Sequence, residues 1–251
     1  MNFPKALDEA AGTHKFPLLF ATVSGAHLYG FPSPDSDFDM RGVHILPVRE
    51  LVGLDAPEET IEISEIRDGI ELDLVTHDIK KFMGMMLKKN GYVLEQLHSP
   101  LIIRTCPEHE ELKSIADDCV TKHHNHHYGG FANTQWNLFL KESPRRVKPL
   151  LYVFRVLLTG IHLMRTGKIE ANLLTLNQDF ALPYINDLVE RKVSSKEKQT
   201  LPDAGIDFFS TEYTRLLNLL DEESARSQLP ESPSARPALN DLLKRMRLSP
   251  A

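Results

Sequence analysis

The chain has 251 residues, of which 41% are hydrophobic and 25% are charged, a composition typical of a globular protein with one large or two small domains. Its net charge is −6, so the surface as a whole does not attract nucleic acid or anionic lipid, and a polyanionic partner would need a local basic patch. Two cysteines cannot build a disulfide framework. No signal-peptide pattern and no run of 18 apolar residues is found, so we expect a cytoplasmic protein without a membrane span.

The first 105 residues alternate between strand patterns and turns. A short helix over 3–12 is followed by an apolar run of strand length that stops at Gly25. Further strands are predicted over 38–47, 61–66 and 70–76, with a hairpin turn at 67–69, then a helix over 78–89 and a short strand within 98–105. We therefore predict a small mixed sheet in this part of the chain.

From Pro107 onward nearly every segment has helical periodicity. A Pro- and Ser-rich stretch at 228–237 resembles a linker before the last helix. The candidate helices are 108–127, 130–141, 148–166, 183–198, 206–222 and 238–247. The predicted fold class is α+β, with a sheet-containing catalytic domain over 1–105 and an all-helical domain over 106–251.

Three acidic residues point to a metal site. Asp37 and Asp39 are two residues apart at a predicted strand, where period-two geometry places both carboxylates on one face. Asp73 lies between Leu72 and Leu74 in another strand. Carboxylates are the ligands that Mg²⁺ prefers, and three of them can hold two ions. An isolated D-x-D pair is equally well explained as solvated surface, but a third acid within an apolar strand and a preceding glycine turn favour the metal site.

The glycine turn begins at Gly25, directly after the first strand, and Gly30 follows. A glycine there lets backbone N–H groups approach a phosphate closely. The alternative is an ordinary strand–turn–helix connection that needs no ligand.

The stretch SGAHLYGFPSPDSDFDMRG, residues 24–42, resembles the signature SGSRAWGFxSPDSDYDVRG of the RlaP-like predicted nucleotidyltransferases, a group of the DNA polymerase β superfamily. The resemblance implies a small mixed sheet with helices on one face and a helical C-terminal domain that closes over the nucleotide. It implies Mg²⁺ or Mn²⁺, an NTP substrate (with ATP expected) and a function such as RNA repair. It assigns catalysis and metal binding to Asp37, Asp39 and Asp73, and phosphate binding to Gly25.

One departure from that signature concerns the phosphate-binding turn. The family has Gly-Ser where this chain has Gly25-Ala26, so the hydroxyl that would contact the terminal phosphates is absent. Ser24 and Ser36 are the candidates to replace it.

The predicted helix over 148–166 carries a further set of candidates. Lys148, Tyr152 and Arg155 have i, i+4 and i+7 spacing and share one helix face, and the family has a similar K-x3-Y-x2-R segment. We predict that they bind the nucleotide, since charge stabilisation dominates phosphoryl transfer. The alternative is a partly exposed basic face.

Three classes of function remain open from the sequence. The first is an enzyme that transfers NMP from an NTP to a hydroxyl of an RNA end, a protein side chain or a small molecule. The second is a nucleotide-binding regulatory module without transferase activity, and the third is a toxin–antitoxin-type partner protein. The acceptor, the preferred base and the oligomeric state are not determined by the sequence.

Overall fold

A computed structural model describes residues 3–194 and 205–248. Within them the chain is α+β, with one five-stranded mixed sheet and a large share of helix, which confirms the predicted fold class. The chain divides into two compact units. Unit 1 comprises Met1–Gly25, Asp37–Cys119 and Ser232–Ala251, and unit 2 comprises Ala26–Ser36 and Val120–Glu231. The predicted division into domains over 1–105 and 106–251 stays a prediction.

All five strands belong to unit 1. They are β1 (Leu18–Val23), β2 (Phe38–His44), β3 (Thr60–Arg67), β4 (Ile70–Asp78) and β5 (Ile102–Thr105). Their order in the sheet is β3-β4-β2-β1-β5. The pair β2/β4 is parallel, and the other neighbouring pairs are antiparallel. Asp68 and Gly69 have φ angles of 53° and 78°, as the tight hairpin turn between β3 and β4 requires.

The described helices follow the predicted pattern in most places. In chain order they are α1 (Lys5–Gly12), α2 (Gly25–Tyr29), α3 (Val48–Leu51), α4 (Ile79–Leu87), α5 (Gly91–Leu97), α6 (Pro107–Ala116), α7 (His124–Lys141), α8 (Val147–Thr166), α9 (Leu173–Phe180), α10 (Pro183–Val193), α11 (Ile206–Arg226) and α12 (Arg236–Leu248). Residues 195–198 of the predicted helix 183–198 lie outside the described residues.

The single helix predicted over 108–127 is wrong. α6 ends at Ala116, a 3-10 turn covers Asp117–Cys119, and α7 begins at His124. After this break, and just before α7 begins, the backbone N–H of Thr121 donates a hydrogen bond to His124 Nδ1 at 3.2 Å. Local hydrogen bonds of this kind compete with helix continuation.

Helices cover both faces of the sheet, which corrects the expectation of helices on one face. Side chains alternate across a strand, so Phe20 and Ala21 of β1 point to opposite sides. Ala21 packs in a core with α1, while Phe20 contacts Phe82 of α4 edge-on and stacks on His109 of α6. Burying both faces explains why β1 is almost continuously apolar.

Unit 2 is built around α8, of which most side chains are buried. By length and composition α8 could cross a membrane, but 83% of its most apolar window is buried inside the protein. α8 is therefore the core helix of unit 2. Gly160 allows close packing there, since a Cβ at this position would lie 2.8 Å from the Cβ of Tyr128 on α7.

Candidate metal centre

Two strands bring the three predicted aspartates together. Asp39 of β2 is the direct register partner of Asp73 in the parallel pair β2/β4, and Asp37 lies immediately before β2. One carboxylate oxygen from each lies within 4.8 Å of the others. All three residues are partly buried. Partly dehydrated carboxylates at this spacing fit a hard cation such as Mg²⁺, which retains waters and takes few protein ligands.

The alternation of β2 and β4 explains why these acids tolerate their apolar neighbours. Met40 and Leu74 lie in the core against α1, so the intervening Asp39 and Asp73 point to the other face of the sheet. The sequence pattern predicted this arrangement for β4 correctly, because its buried and partly exposed residues alternate strictly after Glu71.

Gly25 makes room for Asp39. Its φ is +59°, and a Cβ added there would lie 1.9 Å from Asp39 Oδ2. The backbone N–H of Ser24 donates a hydrogen bond to Asp39 O at 2.7 Å. A side chain at position 25 would therefore clash with the carboxylate and adopt a left-handed backbone that L-residues disfavour. Glycine at position 25, predicted from the sequence to bind phosphate, is thus also required by the position of the Asp39 carboxylate.

Arg41 is a site residue that the sequence reasoning missed. Its Nη2 donates to Asp39 Oδ1 at 2.8 Å, and its Nη1 donates to the backbone oxygen atoms of Met40 and Asp73 at 2.8 and 3.1 Å. Burial lowers the pKa of the guanidinium, but the contacts with Tyr92 and Asp39 raise it by more, so the group stays positively charged. The signal was present, since the spacing D-x-D-x-R places the arginine on the same strand face as Asp39.

Ser64 is a second missed neighbour. It is the register partner of Asp73 across the antiparallel pair β3/β4, and its hydroxyl donates a short hydrogen bond to Asp73 Oδ1. The sequence could have suggested it, because the tight turn at Asp68-Gly69 fixes the register of the hairpin.

Ser24 and Ser36, the candidates to replace the serine hydroxyl of the family's Gly-Ser turn, lie in different environments. Ser24 is fully buried, and its Oγ has no hydrogen-bond partner among the described residues. Ser36 belongs to unit 2, where its Oγ accepts a hydrogen bond from the backbone N–H of Ser33 at 2.9 Å. Buried Lys192 of α10 donates to Ser33 Oγ at 2.6 Å. Ser36 thus closes a local turn, and the roles of both serines in nucleotide binding stay predictions.

The candidates on α8 also lie in unit 2. Arg155 is buried with its Cζ 3.9 Å from the ring centroid of Tyr29, and Tyr152 packs edge-on against Tyr29 and Phe31. Lys148 is half-buried in the first turn of α8. Two of the three therefore pack against the segment between Gly25 and Asp37. A nucleotide-binding role for all three stays a prediction.

Comparison with known proteins identifies two relatives. The uncharacterized protein MJ0002 of Methanocaldococcus jannaschii is 32% identical over 219 residues, covering 86% of this chain and 88% of that protein. The uncharacterized protein YcgL of Bacillus subtilis is 26% identical over 223 residues, covering 84% of each. Among solved structures, a nucleotidyltransferase-like protein from Exiguobacterium sibiricum aligns with a TM-score of 0.33 at 12% identity, covering 88% of this chain and 73% of that one.

The family match spans nearly the whole chain. Residues 2–245 match the RlaP family, described as the RNA repair pathway DNA polymerase beta family. The match includes the segment with the three aspartates and the glycine turn. The chain therefore belongs to the RlaP family and is a nucleotidyltransferase of the DNA polymerase β type.

Proposed function

We propose that this protein transfers a nucleoside monophosphate from an NTP to a hydroxyl group and releases pyrophosphate. The observation that carries the proposal is the approach of Asp37, Asp39 and Asp73, whose ligand oxygens lie within 4.8 Å of one another. Three carboxylates at this distance repel one another unless a cation is shared between them. In a nucleotidyltransferase that cation is best explained as Mg²⁺ or Mn²⁺ at the reacting phosphate.

The aspartates divide into two roles in this proposal. Asp37 and Asp39 would hold both metal ions. Asp73 would hold the catalytic ion and draw the proton from the attacking hydroxyl, directly or through that ion. The Ser64 hydroxyl donates a hydrogen bond to Asp73 Oδ1 and so helps to orient this carboxylate. When bound, the divalent ions neutralise phosphate charge and make the acceptor hydroxyl more acidic. Ser24 and Gly25 begin the family motif, and we assign them to binding of the NTP phosphates.

We further propose ATP as the donor, a cytoplasmic location and an RNA end as the first acceptor to test. The description of the family as an RNA repair pathway supports RNA over the alternatives. Protein side chains and small-molecule hydroxyls are the other acceptor classes. Because the net charge is −6, an RNA acceptor would have to bind at a local basic surface.

The test is a labelled-NTP assay on the Asp39→Asn variant. Each NTP is incubated with Mg²⁺ or Mn²⁺ and with RNA, protein and small-molecule acceptors. We expect Asp39→Asn to lower transfer by about 10²–10³-fold or more while the unfolding temperature stays close to wild type. Glu71→Gln is the matched control, since Glu71 is an exposed acid two residues from Asp73 on the same strand face. Equal transfer by both variants would contradict the proposal.

One observation favours a second function, that of a nucleotide-binding module. Ala26 replaces the family serine, and its side chain is buried, so a hydroxyl contact with the terminal phosphates is missing at that position. A nucleotide-binding module without transferase activity would tolerate this loss. Metal-dependent NTP binding without pyrophosphate release across the whole acceptor panel would favour the module over the transferase.

A further inference from the structure

We infer that Arg41 is a positioning residue for Asp39 and that Tyr92 anchors it. The inference rests on the proposed metal-dependent function of the three aspartates. It concerns the orientation of one metal ligand, and it assigns a role to two residues, on β2 and α5, that the D-x-D motif does not include.

The guanidinium of Arg41 is occupied by protein acceptors. Nη1 and Nη2 bind Asp39, Met40 and Asp73 as described above, and Nε donates to the Tyr92 hydroxyl at 3.0 Å. The side chain is only 16% exposed. With every nitrogen engaged, Arg41 is poorly suited to bind a substrate phosphate. Its contacts instead connect the carboxylate of Asp39 to the backbone of the strand that carries Asp73.

Arg41 binds one carboxylate oxygen of Asp39, and Gly25 leaves room for the other. Oδ1 of Asp39 is bound by Nη2 of Arg41, while Oδ2 lies over Gly25, where a Cβ would approach to 1.9 Å. The hydrogen bond from Arg41 therefore orients the carboxylate that would ligate a metal ion. Partners of this kind typically contribute 10- to 100-fold to metal affinity or activity by orienting the ligand.

The sign of the effect separates positioning from simple electrostatics. Arg41 places a positive charge 2.8 Å from a carboxylate oxygen of Asp39. If charge alone mattered, removal of Arg41 would strengthen cation binding, because a nearby positive charge repels the ion. If orientation dominates, its removal weakens binding. The two alternatives therefore predict changes of opposite direction.

The test is titration of the full chain with Mn²⁺ alone, followed by electron paramagnetic resonance without nucleotide. We expect Arg41→Gln and Arg41→Lys to bind Mn²⁺ about 10-fold more weakly than wild type, and Tyr92→Phe about 3-fold more weakly. Arg67→Gln is the matched control. Arg67 of β3 pairs with Glu65 at 2.8 Å, at the same two-residue spacing, and among the described residues it makes no ion pair with the three aspartates. The Arg67→Gln variant should bind Mn²⁺ with wild-type affinity.

Unchanged or tighter Mn²⁺ binding in Arg41→Gln would overturn the inference. If that variant does not fold, Arg41→Lys and Tyr92→Phe decide, and wild-type affinity in both would overturn it. Asp39→Asn separates this failure from failure of the proposed function. Loss of Mn²⁺ binding in Asp39→Asn with wild-type binding in Arg41→Gln refutes the positioning role alone, whereas wild-type binding in Asp39→Asn refutes the metal centre itself.

Discussion

Two aspartates on β4 illustrate different uses of the same side chain. Asp73, in the middle of the strand, is partly exposed and lies beside two further carboxylates. Asp78, at the end of the strand, is 1% exposed and paired with Arg247 of α12, whose Nη2 lies 2.6 and 2.7 Å from its two carboxylate oxygens. Asp78 also accepts hydrogen bonds from the backbone N–H groups of Leu46 and Lys80.

The difference separates an acid with a paired cation from an acid that we propose as a metal ligand. The buried carboxylate of Asp78 is compensated by a cation and two N–H donors, as buried charges generally require. The carboxylate of Asp73 instead faces like charges, an arrangement that is unfavourable without a ligand. An acid in an apolar strand therefore gives no indication of function until its partners are known.

Removing the partner of Asp78 should have the largest effect on stability. Arg247→Met leaves a buried carboxylate without its cation and releases α12 from β4, so we expect the free energy of unfolding to fall by about 3–5 kcal/mol. Chemical denaturation of wild type and Arg247→Met measures this difference in the free energy of unfolding. Asp73→Asn should have the opposite effect, because it removes the repulsion between Asp73 and the two neighbouring carboxylates. Its free energy of unfolding should be equal to or above that of wild type. Similar losses in both variants would contradict the distinction.

The Asp78 end of β4 should also contribute to the acid sensitivity of unit 1. His44 is fully buried beside it, with Nδ1 2.9 Å from Thr76 Oγ1. Burial lowers the pKa of His44 to about 4, with further lowering by His14, His77 and Arg247 and an opposing effect of Asp78.

The sign of the pH dependence follows from that lowered pKa. The unfolded chain takes up a proton on His44 near pH 6.5, whereas the folded chain does so only near pH 4. The free energy of unfolding should therefore be highest above pH 6.5 and fall as the pH decreases towards 4, by up to about 1.4 kcal/mol per pH unit for this proton. Denaturation at several pH values should give a smaller slope for His44→Gln, and an unchanged slope would refute the assignment.

Gly25→Ala, beside Asp39, should lower the free energy of unfolding by less than Arg247→Met. The added Cβ would displace Asp39 Oδ2, and the positive φ adds backbone strain of about 1–2 kcal/mol. Mn²⁺ binding should weaken much more than stability. Gly69→Ala is the control, since Gly69 also has a positive φ but has no atom within 4 Å of an added Cβ. It should show similar strain and unchanged Mn²⁺ binding, and equal effects of both variants on Mn²⁺ would contradict the role of Gly25.

Much of the sheet and of the acidic centre was predictable because strand periodicity is a local property. The alternation in β4 placed Asp73 on the face opposite Leu72 and Leu74, and Asp39 is its register partner in β2. Asp37 lies just before β2, outside the strand pattern that was used to pair it with Asp39. The break between α6 and α7 was not predicted, because helical periodicity continues through His124 although its side chain binds the turn before it.

The sequence by itself determined the strands, the turn at Gly25 and the family motif with its three acids, since these depend on residues close together in the chain. Only the tertiary structure decided which side chains pair with the charged residues of the strands. Asp78 meets an arginine 169 residues away, and Arg41 meets Tyr92 at a separation of 51 residues. Periodicity determines which face of a strand a side chain occupies. The packing of elements distant in sequence determines which oppositely charged side chain lies beside it.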